Sequence, residues 1–258
     1  MKKLLAVISI GVLVAGAYLL GTFNASKVIE IPAAEWTDDS EAAEAWRNFV
    51  ASMEVAGAQV FASTEDPRER LDGLVYLSQL AAASLEMKLA KGDEKYPRFT
   101  NWMADYRKFL GDSPDAIYHT AELSSDFDYE ISGNRADAKY LGFMLYGKGL
   151  NGWNRAAANI SSKSLRFDDS GNFTILLSKS KPDSGDVDWL KLDEDIHMVM
   201  VRQYYHGRSG KQKAHFTIRN LSQPLFTRKT DSEVAGGLIN AATFFVETLD
   251  GAIALEDM

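Results

Sequence analysis

Two hydrophobic periods divide this chain near residue 111. Upstream, apolar residues recur at three-and-four spacing. Trp46, Phe49, Val50, Met53, Gly57, Val60 and Phe61 mark the apolar face of a helix. It starts at TDDSEAAEAW, with Asp39 or Ser40 as N-cap and acids in its first turn. EDPRERLDG opens a second helix with Pro67 in the first turn. Leu71, Leu74, Val75, Ser78, Ala82, Leu85 and Leu89 form its predicted stripe, and Lys91-Gly92-Asp93 ends it. YPRFTNWMADYRKFL, with Phe99, Trp102, Met103, Tyr106 and Phe109, predicts a looser helical stretch.

After Gly111 the period becomes two. DYEISG, AKYLGFMLYG, SKSLRF, NFTILLS, DIHMVMVRQYY and KAHFTIRNL read as strands between Gly-, Asp- or Ser-rich turns. Phe167-DDSGN-Phe173 and Tyr205-HGRSG-Lys211 predict hairpins with glycine at left-handed positions. Folding the second hairpin about Gly207 to Gly210 puts Val199, Val201, Ala214, Phe216 and Ile218 on a core face. Met198, Met200, Arg202 and Tyr204 then share the other face with His215, Thr217 and Arg219. An arginine between methionine and tyrosine in mid-strand is either paired beneath a cover or aimed into a groove. From Asp231 a last amphipathic helix carries Val234, Leu238, Ala241, Ala242, Phe245 and Leu249. Many short strands without interleaved helices predict an α+β chain built on an antiparallel, jelly-roll-like β-sandwich with a helical cap and a C-terminal helix.

Leu4 to Phe23 is an uncharged run of twenty residues, about 30 Å as helix and long enough to cross a bilayer. Lys2 and Lys3 precede it, and residues 24 to 45 carry Lys27 against six acids. That asymmetry predicts a single pass of the bacterial inner membrane with the folded part in the periplasm. The run reads as an uncleaved signal anchor; the alternative is cleavage at Ala15-Gly16-Ala17. The predicted organisation is a transmembrane helix over 1–23, a tether over 24–36, a helical region over 37–111, the sandwich over 112–222 and the C-terminal helix over 223–258.

The net charge of -8 and pI near 5.1 argue against nucleic acid and against anionic lipid as main partners, because either would repel an acidic surface. With no cysteine, thiolate catalysis, disulfides and Cys-ligated metals are excluded. Gly142 to Lys148 matches the start of a phosphate-binding loop, but Gly149 replaces the required Ser or Thr and FMLY reads as buried strand. Neither H-E-x-x-H nor G-x-S-x-G occurs. His197, His206 and His215 fall apart in the hairpin register, so no metal triad forms there, and His119 lies in the junction. Asp183, Asp186 and Asp188 could supply oxygens to calcium, but an acidic turn before Trp189 explains them as well. No cofactor and no metal are implied.

At the junction, Asp112-Ser113-Pro114-Asp115 reads as a helix stop with Asp side chains capping the turn. The functional alternative is that Asp112, Asp115 and Tyr118 project from a rigid turn at the helical/β seam, where pockets form.

LGDSPDAIYHTAEL, DYEISGNRADAKYLGFMLY, GNFTILLS, DVDWLKL and MVMVRQYYHGRSGKQKAHFTIRNL run in an order that resembles the bacterial domain of unknown function numbered 1214, often fused behind the domain numbered 1254. The resemblance covers Gly111 to Leu221. It implies a jelly-roll-like sandwich, commonly an envelope location, and no established chemistry. By motif position it carries over Asp112, Asp115 and Tyr118 from the turn, Trp189 from a second turn, and Arg202 and Tyr204 from a strand. Ser113 stands where the family usually has Asn, and Asp188 where it has Asn before Trp. The family strand runs on into Asp-Trp, where this chain has Tyr205-His206-Gly207.

These six residues are the expected ligand site, with Arg202 paired to Asp112 or Asp115 and Tyr118 or Tyr204 lining the same recess. The expected function is binding of an extended glycan- or lipid-derived ligand, by analogy with other jelly rolls. The alternatives are a hydrolase using Asp112 and Asp115 as acid and base and a membrane-tethered structural scaffold.

Overall fold

The computed structural model describes residues 35–256, apart from 105, 108, 110, 112, 151–153, 184 and 208. The apolar run over 4–23, most of the tether and Asp112 lie outside the described residues. Among those described, no helix is long and apolar enough to cross a membrane. The described residues from Ser40 onward form one compact unit.

The architecture is mixed α+β, with three helices and two sheets among the described residues. Helix α1 (Glu41–Ser63) starts where the Ser40 hydroxyl accepts from Ala43 N, 3.3 Å away. Three residues later α2 (Pro67–Lys88) begins, capped by Asp66, whose carboxylate accepts from Arg68 N at 2.8 Å. Helix α3 (Asp231–Glu256) opens on a reciprocal pair: Glu233 N donates to the Thr230 hydroxyl at 3.2 Å, and Thr230 N to the Glu233 carboxylate at 2.7 Å. The Asp231 carboxylate also accepts from Glu41 N and Ala42 N, at 3.0 and 3.3 Å. Thus α1 and α3 run parallel from adjacent N-termini, with Phe49 edge-on to Phe245 at 6.2 Å between them. Two aligned positive helix ends repel; Glu41, Glu44, Asp231 and Glu233 offset them.

The stripe assigned to the second helix is wrong from Leu71 through Ala82, with Ser78 and Ala82 exposed as well and only Leu85 and Leu89 partly buried. Leu71, Leu74 and Val75 face solvent, and Leu77, Leu80, Ala83, Ser84 and Met87 are buried. Gly73 is the physical reason. A Cβ there would lie 2.4 Å from Val60 Cγ1, so the missing side chain lets α1 approach and turns this side inward. The stretch read as a third helix is not one. It holds β1 (Thr100–Asn101) and an isolated bridge between Ala104 and Arg107. Arg107, buried there, bonds the Glu86 carboxylate and donates to Asn101 O at 2.8 Å. These partners tie the segment to α2 instead of letting it coil.

The remaining strands are β2 (Ala116–Glu122), β3 (Tyr129–Asn134), β4 (Tyr140–Lys148), β5 (Asn154–Ser161), β6 (Asn172–Ser178), β7 (Asp188–Lys191), β8 (Ile196–Tyr204) and β9 (His215–Asn220). One sheet has the order β1-β2-β8-β4-β5 and is antiparallel throughout; the other is β7-β6-β3-β9, with β6 and β7 parallel. Their facing sides share one core, which includes Ile117, Val199, Val201, Leu141, Phe143 and Leu145 from the first, and Tyr129, Ile131, Ile175, Leu177 and Ile218 from the second. The arrangement is sandwich-like. SKSLRF is turn and coil, whereas β2, β5 and β7 were not anticipated as strands. The Gly142–Lys148 match lies within β4, a strand and not a phosphate loop.

The second predicted hairpin needs correction. Gly207 and Gly210 do take left-handed φ values of +72° and +70°. However, β8 pairs with β2 and β4, while β9 pairs with β3 in the other sheet. The turn crosses between sheets, so the outward residues of β8 and β9 do not share a face. On β9 the alternation is as expected, with Ile218 buried and His215, Thr217 and Arg219 exposed; on β8 Met198 and Met200 are buried along with Val199 and Val201, so both faces are covered there. Phe216 packs edge-on to Phe99 at 4.8 Å and to Phe143 at 6.0 Å. Phe216→Ala should therefore cost about 3 kcal/mol in urea unfolding, and Thr217→Ala under about 0.5. Equal costs would contradict this orientation.

Candidate binding site

The outward face of the five-stranded sheet is built from alternate residues of its three central strands. Tyr118 on β2 and Gly142 on β4 are the ladder partners of Arg202 on β8. The next level pairs Met200 with Thr120 and Met144, and the level beyond pairs Met198 with Glu122 and Tyr146. Arg202 and Tyr146 thus start two levels apart, roughly 13 Å at a strand rise of ~3.3 Å per residue. Their long side chains close that gap, and Arg202 Nη2 donates to Tyr146 Oη at 2.8 Å. The pair arches over Met144 and Met200, which helps explain why Met200, on an outward face, is buried.

The Arg202 guanidinium lies 6.0 Å from the ring centroids of both Tyr118 and Tyr146, at the outer range of cation–π attraction. Tyr140 reaches across Gly142, where a Cβ would sit 2.7 Å from its ring, and meets Tyr204 edge-on at 5.7 Å. Around one half-buried cation the fold therefore gathers four tyrosines. Among the described residues no carboxylate forms an ion pair with Arg202. An arginine has five N–H donors, so most of its hydrogen-bonding capacity is left for a partner.

The expected clasp to Asp115 does not form, and the one to Asp112 falls outside the described residues. Asp115 is exposed, and its carbonyl accepts from Tyr205 N at 2.9 Å, beyond the Tyr204 level. The ladder register puts Tyr118, not a turn carboxylate, opposite Arg202. Tyr118 and Tyr204 do join the Arg202 group. Trp189 does not. It sits on β7 in the other sheet, and its indole N–H donates to Ser178 Oγ at 2.9 Å. Tyr146 and Tyr140 were missed, although the alternation of Tyr140, Gly142, Met144 and Tyr146 had already set them on one face.

The remaining chemistry-bearing groups lie away from this face. Asp188 accepts from the backbone N and Nε of Arg166, at 2.7 and 3.0 Å. Among the described residues no three His, Asp or Glu side chains gather to hold a metal. His119 is on the core side of β2, edge-on to Phe216 at 5.2 Å, and its Nδ1 is buried with no hydrogen-bond partner in this fold. Burial, with Lys213 adding to it, lowers its pKa to about 4. It does not reach the outward face.

No protein-family model and no curated protein sequence matches the chain. Among solved structures, an uncharacterised protein from Burkholderia cenocepacia is similar at 25% identity and a TM-score of 0.69, over 83% of this chain and 61% of that one. The VPA0106 protein from Vibrio parahaemolyticus aligns at 16% identity with a TM-score of 0.36, over 76% of this chain and 59% of that one. The chain thus spans about 61% of the length of the Burkholderia protein whose fold it shares.

Proposed function

We propose that this chain is an envelope-anchored binding protein whose Arg202 receives the anionic group of an extended glycan- or lipid-derived ligand. The observation that carries the reading is a half-buried guanidinium with one tyrosine hydroxyl as its hydrogen-bond partner and no ion-paired carboxylate among the described residues. A cation withdrawn from water without a counter-ion favours an anion that brings its own charge. A carboxylate or phosphate matches the guanidinium fork, and the surrounding tyrosines offer ring faces and hydroxyls to the rest of the ligand.

The anchor belongs to the same reading and rests on the twenty-residue apolar run and the charge asymmetry around it. The two sheets are read as a jelly-roll-like sandwich of the kind the 1214 domain implies. In support, the late strand β8 lies between β2 and β4, and β9 returns beside β3.

The test uses the full-length protein in nanodiscs, titrated with oligogalacturonate against its methyl ester, and with lysophosphatidylglycerol against lysophosphatidylcholine. One acidic probe should bind at least about tenfold better than its neutral or zwitterionic counterpart. Arg202→Gln should remove that advantage, the effect of losing a charge-assisted hydrogen bond. Unchanged acidic binding in a destabilised Arg202→Gln variant would make Arg202 a structural clasp and end the proposal.

A further inference from the structure

The three described helices line a recess that shares no residue with the Arg202 face. It is a groove of about 520 Å³ where the last turns of α1 and α3 meet the first turns of α2. Its apolar side is Val60, Leu249, Ala252 and Ile253; its polar side is Ser63, Thr64, Tyr76, Glu69 and Asp72. Tyrosine aside, both ionisable side chains along it are carboxylates.

Helix direction adds to that sign. Because α1 and α3 are parallel, both of their negative C-terminal ends point to this end of the bundle, where they outnumber the positive N-terminus of α2, and neither has a basic residue in its last turn. Arg70 is held at the rim: its Nε donates to the carbonyl of Thr64, which lines the groove, at 2.8 Å, and its guanidinium lies over Phe61, which does not. Glu69 accepts from the Thr64 hydroxyl and so is held at the rim, while Asp72 is exposed beside it.

We infer that this groove binds an organic cation with an apolar body, its ammonium at Glu69 and Asp72 and its hydrocarbon part against Val60, Leu249 and Ile253. The volume is that of a small-molecule site. Charge complementarity selects an amine over a neutral molecule of the same shape. The requirement is opposite to that at Arg202, so the two sites take different ligands.

The experiment is calorimetric titration of the full-length protein in nanodiscs with 4-phenylbutylamine and with neutral 4-phenylbutanol, empty discs serving as the blank. The amine should bind about tenfold or more tightly than the alcohol, one charge-assisted contact's worth. Asp72→Asn combined with Glu69→Gln should erase that difference while leaving the alcohol unchanged. Ala252→Trp, which fills the groove, should abolish binding of both. Arg202→Gln should alter neither, which keeps failure here separate from failure of the anion site. Equal affinity for the two probes, no binding of the amine at millimolar concentration, or amine binding that survives both carboxylate substitutions would overturn the inference.

Discussion

Gly133→Val is expected to destabilise the protein by at least about 3 kcal/mol, with a lower urea midpoint and an unchanged slope. Gly133 is on β3, opposite Phe216 on β9 and Phe173 on β6. A Cβ there would lie 2.3 Å from His215 O and 2.6 Å from Phe216 Cβ. The first of these neighbours is backbone, so it can yield only by breaking the β3–β9 ladder. The same ladder fixes which side of β9 faces the core. Gly57 is the contrasting case. It lies in α1 with nothing within 4 Å of an added Cβ, so Gly57→Ala should stabilise by roughly 0.5–1 kcal/mol through helix propensity. A Gly133→Val protein within 1 kcal/mol of the parent would mean that the two strands do not approach as closely as described.

Acidification from pH 6.5 to 4 should remove about 3 kcal/mol of stability through His119 alone. The sign follows from its environment. Its folded pKa is lowered from 6.5 to about 4 by burial first and by Lys213 second. The folded state therefore holds imidazole neutral where the unfolded chain would already bind a proton. His119's share of the stability is complete above pH 6.5 and falls away as pH drops through 4. At 1.36 kcal/mol per unit, the difference amounts to about 3 kcal/mol. Asp168, Asp195 and Glu233 have lowered pKa values from hydrogen bonding, and they add their own losses at the acid end. Comparison with His119→Leu isolates the histidine. Between pH 6.5 and 4 the variant should lose about 3 kcal/mol less than the parent, and parallel curves would refute the assignment.

How far the sequence could be read depended on whether a pattern had one physical solution. The strand faces of β8 and β9 were legible because Val199, Val201 and Ile218 alternate with polar or long side chains, and only one side can be core. The pairing was not. A Gly-rich loop of this length serves a hairpin and a crossing between sheets equally well, and nothing local chooses. On α2 apolar residues occur on more than one side, so the periodicity fit Leu71, Leu74 and Val75 as well as the buried side. A single absent side chain at Gly73 decided it. β5 escaped notice because NRAAANIS has few β-formers, and its register with β4 is what makes it a strand. At the binding face, Arg202, Tyr118 and Tyr204 could be read from strand alternation and motif order. Tyr146 could not be named as the partner without knowing that β4 lies beside β8. The two turn acids drew attention because a buried arginine usually needs a carboxylate; here a phenol is its hydrogen-bonding partner.

The Asp231 cap on α1 also sets an order of events. Glu41 and Asp231 are 190 residues apart, so the α1–α2 hairpin can form from local contacts, whereas its parallel partner must come from far along the chain. Until then Phe49 and Leu80 have no Phe245 or Ala241 to close over them. Such long-range closure is slow, and it leaves an apolar hairpin waiting while the intervening strands find their places. The helical bundle, local in appearance, is therefore among the most non-local parts of the molecule, and its completion is the natural last step of folding.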